Sequence, residues 1–188
     1  MKEIVTVTGP IAPEELGFCQ CHEHIAMSKG KSWYLNPALR IDDMAKSLEE
    51  VRRYKSCGGD SFIDAQPCGC NRMAEELRKL SVKSGVHIIA STGFHKLCFY
   101  PDSHWIHSIS EADLEEVFVR ELTTGMYTDA DCTYPSVQSS IKAGIIKTAY
   151  DTEELSPRYK KLFRAAASAS LKAERIIMIH VEQDTNPI

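Results

Sequence analysis

Two histidines close together in the sequence could form half of a metal site. Residues 20–25 read QCHEHI, so His22 and His24 stand at positions i and i+2. On a β-strand this spacing places both imidazoles on the same face. Two neutral imidazoles at the end of a strand are suitable ligands for a divalent metal ion. Because H-x-H is a short motif, a partly exposed histidine pair without a metal remains an alternative.

A lysine in an apolar segment is the second unusual feature. Lys147 lies within the sequence GIIKTA at 144–149, where a charged ammonium group would be costly to bury. Desolvation can lower a lysine pKa by roughly 3–5 units and so yield a neutral amine. Such an amine can capture carbon dioxide as a carbamate, an anion able to bridge two metal ions. A lysine that reaches solvent from the strand end is the alternative.

A third polar residue ends another apolar segment. His180 follows IIMI at 176–179, and catalytic groups of α/β barrels gather at the carboxyl ends of strands. A hydrogen-bonded core histidine is the alternative. The histidine pair, Lys147 and His180 would nevertheless share one rim of a parallel sheet, which favours a common site.

The elements that must position these side chains alternate between strand and helix. We predict an N-terminal ribbon over 4–8 with a turn at Gly9-Pro10. The predicted strands of the main sheet are 16–25, 61–65, 86–91, 143–149 and 176–181. The predicted helices are 42–54, 72–84, 111–123 and 158–173. This order is typical of a parallel α/β sheet. It fits an open doubly wound sheet or the first five units of a (β/α)8 TIM-type barrel, which normally takes about 250 residues. No G-x-G-x-x-G follows the first strand, which disfavours a dinucleotide-binding fold.

Composition limits the function classes. The chain has 188 residues, 22 basic against 26 acidic side chains, and 43% hydrophobic residues, which predicts one globular domain over 1–188. The acidic balance and the lack of a basic cluster argue against nucleic-acid partners. No apolar stretch approaches the roughly 18 residues of a membrane span. The first residues do not resemble a signal peptide, so we expect a cytoplasmic protein with reduced cysteines.

Short motifs along the whole chain resemble those of one enzyme family. They are TVTGPI at 6–11, ELG at 15–17, HEH at 22–24, TGF at 92–94, IK at 146–147 and IH at 179–180. Together they resemble the phosphotriesterase-like, lactonase-containing branch of the amidohydrolase superfamily. The resemblance implies a (β/α)8 barrel of which only about the first five βα units are present.

The same resemblance implies a binuclear metal centre, usually of zinc. In it His22 and His24 would bind the more buried ion, carboxylated Lys147 would bridge the two ions, and His180 would bind the more exposed one. The implied reaction is the hydrolysis of phosphotriesters or lactones by a hydroxide that bridges the two metals.

This chain departs from the family pattern at its end. The family carries a further metal-binding histidine on strand six and an aspartate on strand eight, and the sequence stops before both positions. We therefore expect a C-terminally truncated barrel with open strand edges. A catalytically inactive fragment or binding module is the corresponding alternative.

The loop after the third predicted strand supplies candidate substrate contacts. It contains His95, Lys96, Tyr100 and Trp105, a basic and aromatic set that could line a pocket. Lys96 could receive an anionic group, so a small-molecule ester is the expected partner, in particular a sugar lactone or sugar-phosphate lactone. A solvated loop is the alternative, and a homodimer is the assembly that we consider.

Two alternative interpretations of the sequence remain, one a structural zinc site and the other an unrelated fold. Cys19 and Cys21 could join Cys68 and Cys70 in a structural zinc site, although strand alternation turns the first two away from His22. The chain could also be an unrelated open α/β protein in which the histidines are incidental.

Overall fold

A five-stranded parallel sheet forms the framework of the chain, which a computed structural model describes over residues 3–151 and 155–182. The strands are β1 (Ile4–Thr6), β2 (Gly9–Ile11), β3 (Cys19–Glu23), β4 (Ser61–Asp64), β5 (His87–Gly93), β6 (Ile145–Tyr150) and β7 (Ile177–Val181). The α-helices are α1 (Lys31–Leu35), α2 (Met44–Ser56), α3 (Ala74–Ser84), α4 (Glu111–Thr123) and α5 (Pro157–Ala173). Short 3₁₀ helices cover Pro13–Glu15, Leu97–Phe99 and Trp105–His107.

The order of the strands decides between the two predicted architectures. The sheet runs β3-β4-β5-β6-β7, with every neighbouring pair parallel. A doubly wound sheet reverses its strand order at a switch point, whereas a barrel adds strands in chain order. The sequential order therefore confirms the barrel-type prediction, with five βα-type strands forming part of a barrel.

Burial differs sharply between the middle of the sheet and its edges. Every residue of β6 is buried, as are six of the seven residues of β5. No residue of β3 or β7 is fully buried, and both lie at the edges of the sheet among the described residues. Apolar side chains from α3, α4 and α5 join one buried cluster with the central strands, and Leu77, Leu114, Phe118 and Leu162 are among its most completely buried members. Hydrophobic burial is therefore concentrated on β4, β5 and β6.

Four of the eight predicted helix ends agree with the structure: the end of α3, both ends of α4 and the end of α5. Helix α5 begins one residue earlier and α3 two residues later than predicted, and both ends of α2 lie two residues further along the chain. Helix α4 begins and ends where predicted, and the Ser110 side chain accepts a hydrogen bond from the backbone N–H of Asp113. Ser156 caps α5 in the same way, ahead of Pro157 at the first helical position. Gly85 ends α3 in the left-handed conformation, with φ of 71°.

Two local predictions need correction. Gly9 and Pro10 belong to β2 and do not form the ribbon turn, which lies at residues 7–8. The Thr6 hydroxyl donates to the Gly9 carbonyl oxygen at 2.7 Å and closes this turn. The first sheet strand is also shorter than predicted, because β3 begins only at Cys19.

A buried ion pair links three segments of the core, below the carboxyl ends of the strands. The Arg72 guanidinium donates to both carboxylate oxygens of Glu121, at 2.6 and 3.0 Å, and to the Ser91 carbonyl oxygen at 2.8 Å. The two side chains are 3% and 0% exposed. The pair thus ties the segment before α3 to β5 and α4.

Among the described residues, no helix is both long and apolar enough to cross a membrane.

Candidate functional site

Four histidine rings form a closed circuit at the carboxyl ends of the strands. The ring centres of His22 and His24 are 5.9 Å apart, and those of His24 and His95 are 6.1 Å apart. The circuit continues from His95 to His180 at 6.2 Å and returns from His180 to His22 at 5.5 Å. The structure therefore brings together three of the predicted metal ligands with His95, which we predicted as a substrate contact.

Lys147 reaches the same place from the middle of the sheet. It lies on β6 with an exposed fraction of 0%, and its Nζ donates to the Ala65 carbonyl oxygen at 3.4 Å. Neighbouring strand β5 can approach closely because Gly93 has no side chain: a Cβ there would lie 1.9 Å from the Lys147 carbonyl oxygen. The φ of Gly93, 98°, also favours glycine.

The electrostatics of the cluster favour neutral nitrogen donors. Burial lowers the pKa of Lys147 to about 8. Burial also lowers the pKa of His24 to about 4, with the Lys147 charge as the next largest cause. The pKa of His22 is lowered by burial, then by Lys147 and His180, and burial takes the pKa of His95 far below its ordinary value. These three imidazoles are therefore neutral at pH 7, the form that binds metal ions.

Hydrogen bonds assign the tautomer of His95. Its Nδ1 accepts from the backbone N–H of Lys96 at 2.7 Å, so the proton of the neutral ring is on Nε2. The His95 backbone N–H donates to the Tyr100 hydroxyl at 2.9 Å, and that hydroxyl donates to the Cys68 carbonyl oxygen at 3.3 Å. His95 is thus held as a neutral hydrogen-bond donor next to the other rings.

The outer side of the cluster carries a charged network. His180 Nε2 lies 3.3 Å from a carboxylate oxygen of Glu182. The same oxygen accepts from Lys96 Nζ, which also lies 4.9 Å from the centre of the Phe99 ring. Lys96 therefore lies beside the histidine cluster, where an incoming anion would have to compete with Glu182 for it.

The other two predicted substrate contacts lie deeper in the loop. Tyr100 is 1% exposed, and its hydroxyl hydrogen-bonds to the backbone of His95 and Cys68. Trp105 is 8% exposed, and its indole N–H donates to the Ala130 carbonyl oxygen at 2.6 Å. Both side chains support the loop from inside, so we keep only His95 and Lys96 as candidate substrate contacts.

Sequence reasoning missed two buried polar residues next to the histidine cluster, Asp64 and Gln66. The buried Asp64 carboxylate accepts from the backbone N–H groups of Ile25 at 2.8 Å and Gln66 at 3.1 Å. Burial raises the pKa of Asp64 to about 6 despite these bonds. The available signal was a polar residue ending the apolar strand SFID, the same signal that identified Lys147 and His180.

The donor set fits the nitrogen ligands of a divalent metal centre, though it does not complete one. Neutral imidazoles are ordinary zinc ligands, and the buried His24 Nδ1 has no hydrogen-bond partner. Within residues 3–151 and 155–182, however, no three His, Cys, Asp or Glu side chains converge closely enough to hold a cation. The described residues thus bring neutral nitrogen donors together without forming a complete metal site.

The alternative of a structural zinc site formed by cysteines can be compared with the structure in the same way. Cys68 and Cys70 are buried, whereas Cys21 is exposed and Cys19 is half-buried, and all four are free thiols. Across the described segments they do not meet as a zinc site.

Comparisons with known proteins agree with this geometry. A sequence profile described as "Phosphotriesterase family" matches residues 2–188. A phospho-furanose lactonase of Mycoplasmopsis agalactiae is 28% identical over 188 residues, which cover 98% of this chain and 53% of the relative.

Solved structures give the same result. The crystal structure of an amidohydrolase from Mycoplasma synoviae matches with a TM-score of 0.89 and 26% identity, over 96% of this chain and 52% of that one. A lactonase from Listeria monocytogenes matches with a TM-score of 0.82 and 27% identity, over 96% and 57% of the two chains. The chain therefore spans about half the length of these proteins.

Proposed function

Because this chain belongs to the phosphotriesterase family, we propose that it is a metal-dependent hydrolase that opens lactones, with sugar-phosphate lactones as the preferred substrates. The observation that carries the proposal is the buried Lys147 amine beside the circuit of four imidazoles. The lactonases among its relatives support the substrate class.

In this proposal the nitrogen donors divide between two zinc ions. His22 and His24 would hold one ion and His180 the other. A carboxylated Lys147 would add oxygen ligands to this centre. The Lys147 charge lowers the pKa of both His22 and His24, which supports a position of the amine close to these two histidines.

Lys147 is suited to carboxylation because burial favours its neutral form. The Nζ lone pair attacks the carbon of carbon dioxide, one C–O π bond becomes a lone pair on oxygen, and Nζ releases a proton to solvent. The product is a carbamate anion with two oxygen ligands. With a pKa of about 8, an appreciable fraction of the amine is neutral at physiological pH, whereas an ordinary lysine is almost fully charged.

The residues around the centre have separate roles in the proposed reaction. When bound, two close divalent ions supply hydroxide at neutral pH and polarise the lactone carbonyl. His95 presents its Nε2–H as a donor to a substrate oxygen. Lys96 binds the anionic group of the substrate, which replaces Glu182 as its partner. Water adds to the carbonyl carbon, the ring C–O bond breaks, and the released oxygen takes up a proton.

The polar rim favours a phosphorylated sugar lactone over a bulky apolar triester. Lys96, His180 and Glu182 are all charged or polar and partly exposed at the opening. Phe99 is the apolar side chain that packs against His95 there, with ring centres 4.5 Å apart. An apolar triester would have to desolvate this rim without replacing its hydrogen bonds.

Metal content and activity measured on the same protein test the proposal. We expect the chain to bind zinc, manganese or cobalt when bicarbonate is supplied, and to hydrolyse at least one sugar-phosphate lactone. If the protein binds none of these metals, and neither metal nor bicarbonate increases activity, the proposal is refuted.

A non-catalytic half-site or binding module is the second candidate function. The lack of three convergent His, Cys, Asp or Glu ligands in the described segments favours it. A version of the chain extended with the second half of the M. agalactiae lactonase would separate the two candidates on one lactone panel. Activity in the 188-residue chain supports the hydrolase, whereas activity only in the extended version supports the half-site.

A further inference from the structure

Gln66, two residues after the end of β4, has a buried polar atom that makes no hydrogen bond. Gln66 is 1% exposed, and its side-chain Oε1 is buried without a hydrogen-bond partner. The Nδ1 of His24 is likewise buried and unpartnered. The two residues lie on adjacent segments, because the Ala65 backbone N–H donates to the Glu23 carbonyl oxygen at 2.7 Å and the Asp64 carboxylate accepts from the backbone N–H groups of both Ile25 and Gln66. Two buried polar atoms without partners, one on an imidazole and one on an amide, therefore lie on neighbouring parts of the site.

The orientation of the Gln66 amide follows from its other contacts. Its Nε2 donates to the Cys70 carbonyl oxygen, which can only accept a hydrogen bond. The amide nitrogen must therefore face Cys70, and Oε1 is left for another donor. The Gln66 backbone is fixed too, because its N–H donates to the Asp64 carboxylate at 3.1 Å.

An acceptor next to Nδ1 has a specific consequence for the His24 ring. It favours the tautomer with the proton on Nδ1, which leaves the lone pair on Nε2. Histidines that bind metals usually donate their other ring N–H to such a partner, which fixes the tautomer and the ring orientation. A buried Nδ1–H without any partner would be costly.

We propose that Gln66 is a positioning residue for His24, whose Nδ1–H donates to the Gln66 side-chain oxygen so that Nε2 is presented to the metal centre. The inference rests on the proposed function, in which His24 is a metal ligand. It adds a residue outside the ligand set that controls how tightly the half-site binds its ion.

Three variants separate this role from general support of the fold. Gln66→Met keeps the length of the side chain and removes the acceptor, whereas Gln66→Glu keeps an acceptor oxygen. Gln138→Met is the matched control, because Gln138 also donates its amide to a backbone carbonyl, that of Gly125 at 2.6 Å, in a loop away from the site.

Ring ¹⁵N chemical shifts of His24 in the chelator-treated chain give the first readout, and Zn²⁺ affinity by competition with a chromophoric chelator gives the second. We expect the Nδ1–H tautomer in the wild type and its loss in Gln66→Met. Zinc affinity should fall about 10- to 100-fold in that variant. Gln66→Glu should restore the tautomer, and Gln138→Met should match the wild type in both measurements.

Wild-type His24 in the Nε2–H tautomer, or unchanged ring shifts in Gln66→Met, would overturn the inference. The wild-type measurement needs no variant, so the test survives if Gln66→Met does not fold. If the ring shifts behave as expected but the wild type binds no zinc, the Gln66 contact stands and the proposed function fails.

Discussion

The inner and outer halves of the histidine cluster differ in how firmly the fold holds them. Lys147 and His95 are buried and belong to the central strands or to the loop after them. His22 and His180 are on edge strands, where His22 is exposed and His180 is half-buried. The inner half is therefore preorganised by the core, whereas the outer half depends on what surrounds the edges.

Two ion pairs show the same contrast. Arg72 and Glu121 are almost completely buried beneath the inner half, and Glu121 also accepts from the backbone N–H of Tyr127. Lys96 and Glu182, in the outer half, have side chains 20% and 40% exposed. Water screens the Lys96–Glu182 pair but not the Arg72–Glu121 pair. Loss of the buried pair should therefore lower the free energy of unfolding much more than loss of the exposed pair.

The largest expected effect is the loss of the buried pair. Glu121→Leu leaves the Arg72 charge buried without its carboxylate, and we expect the free energy of unfolding to fall by about 3–5 kcal/mol. Urea unfolding followed by circular dichroism measures this. A loss below about 1 kcal/mol would show that Arg72 finds water or another partner and that the inner half is less rigid than proposed.

Lys147→Met should change how stability depends on pH. The Lys147 pKa is about 8 in the folded chain, against an ordinary value of 10.5, so between these pH values the unfolded chain binds more protons. Wild-type stability therefore gains from Lys147 as pH rises through this window, by about 3 kcal/mol.

In Lys147→Met this gain is absent, because methionine does not titrate. Unfolding of both proteins without metal or bicarbonate, at several pH values from 7 to 11, gives the comparison. The stability advantage of the variant should be largest near pH 7 and shrink toward pH 10.5. A constant difference across this range would mean that the Lys147 amine is solvated.

Asp64→Asn tests the connection below the inner half. Asparagine keeps one acceptor oxygen but turns an NH₂ group toward the second backbone N–H, so we expect a loss of about 1–3 kcal/mol in unfolding free energy. Asp129→Asn is the control, because Asp129 also accepts from two backbone N–H groups, those of Ser136 and Val137, in a more exposed loop. Equal losses in the two variants would contradict the special role of burial at Asp64.

Glu182→Gln should have the smallest effect on stability. The Lys96–Glu182 pair is partly exposed, so its removal should cost at most about 1 kcal/mol. In a lactone-hydrolysis assay, the same change should lower KM for an anionic lactone, because Lys96 is then no longer paired with the Glu182 carboxylate. An unchanged KM for anionic and neutral lactones alike would remove Lys96 from the proposed substrate site.

The order of elements and the polar residues at strand ends could be predicted from the sequence. Helix α4 was predictable because Ser110 and the apolar periodicity are local signals. Lys147 and His180 stand out because each interrupts an apolar strand. These predictions depend on neighbours along the chain, which the sequence displays directly.

Contacts across the sheet could not be predicted in the same way. The tautomer of His95, the inward Tyr100 hydroxyl and the position of Gln66 beside His24 depend on side chains from different strands. Polar residues in a loop carry no periodic signal that distinguishes a substrate contact from a structural one. The loop residues were therefore predicted as a group, and the structure separates Lys96 from Trp105.

Metal content of five proteins tests most directly whether four side chains, on or directly after three strands, hold a common centre. The proteins are the wild type, His22→Ala, His24→Ala, Lys147→Ala and His180→Ala, each equilibrated with zinc and bicarbonate and measured by elemental analysis after removal of free metal. We predict bound zinc in the wild type and a reduced content in all four variants, with the larger losses for His24→Ala and Lys147→Ala. Metal content that is the same in the wild type and all four variants would contradict the account.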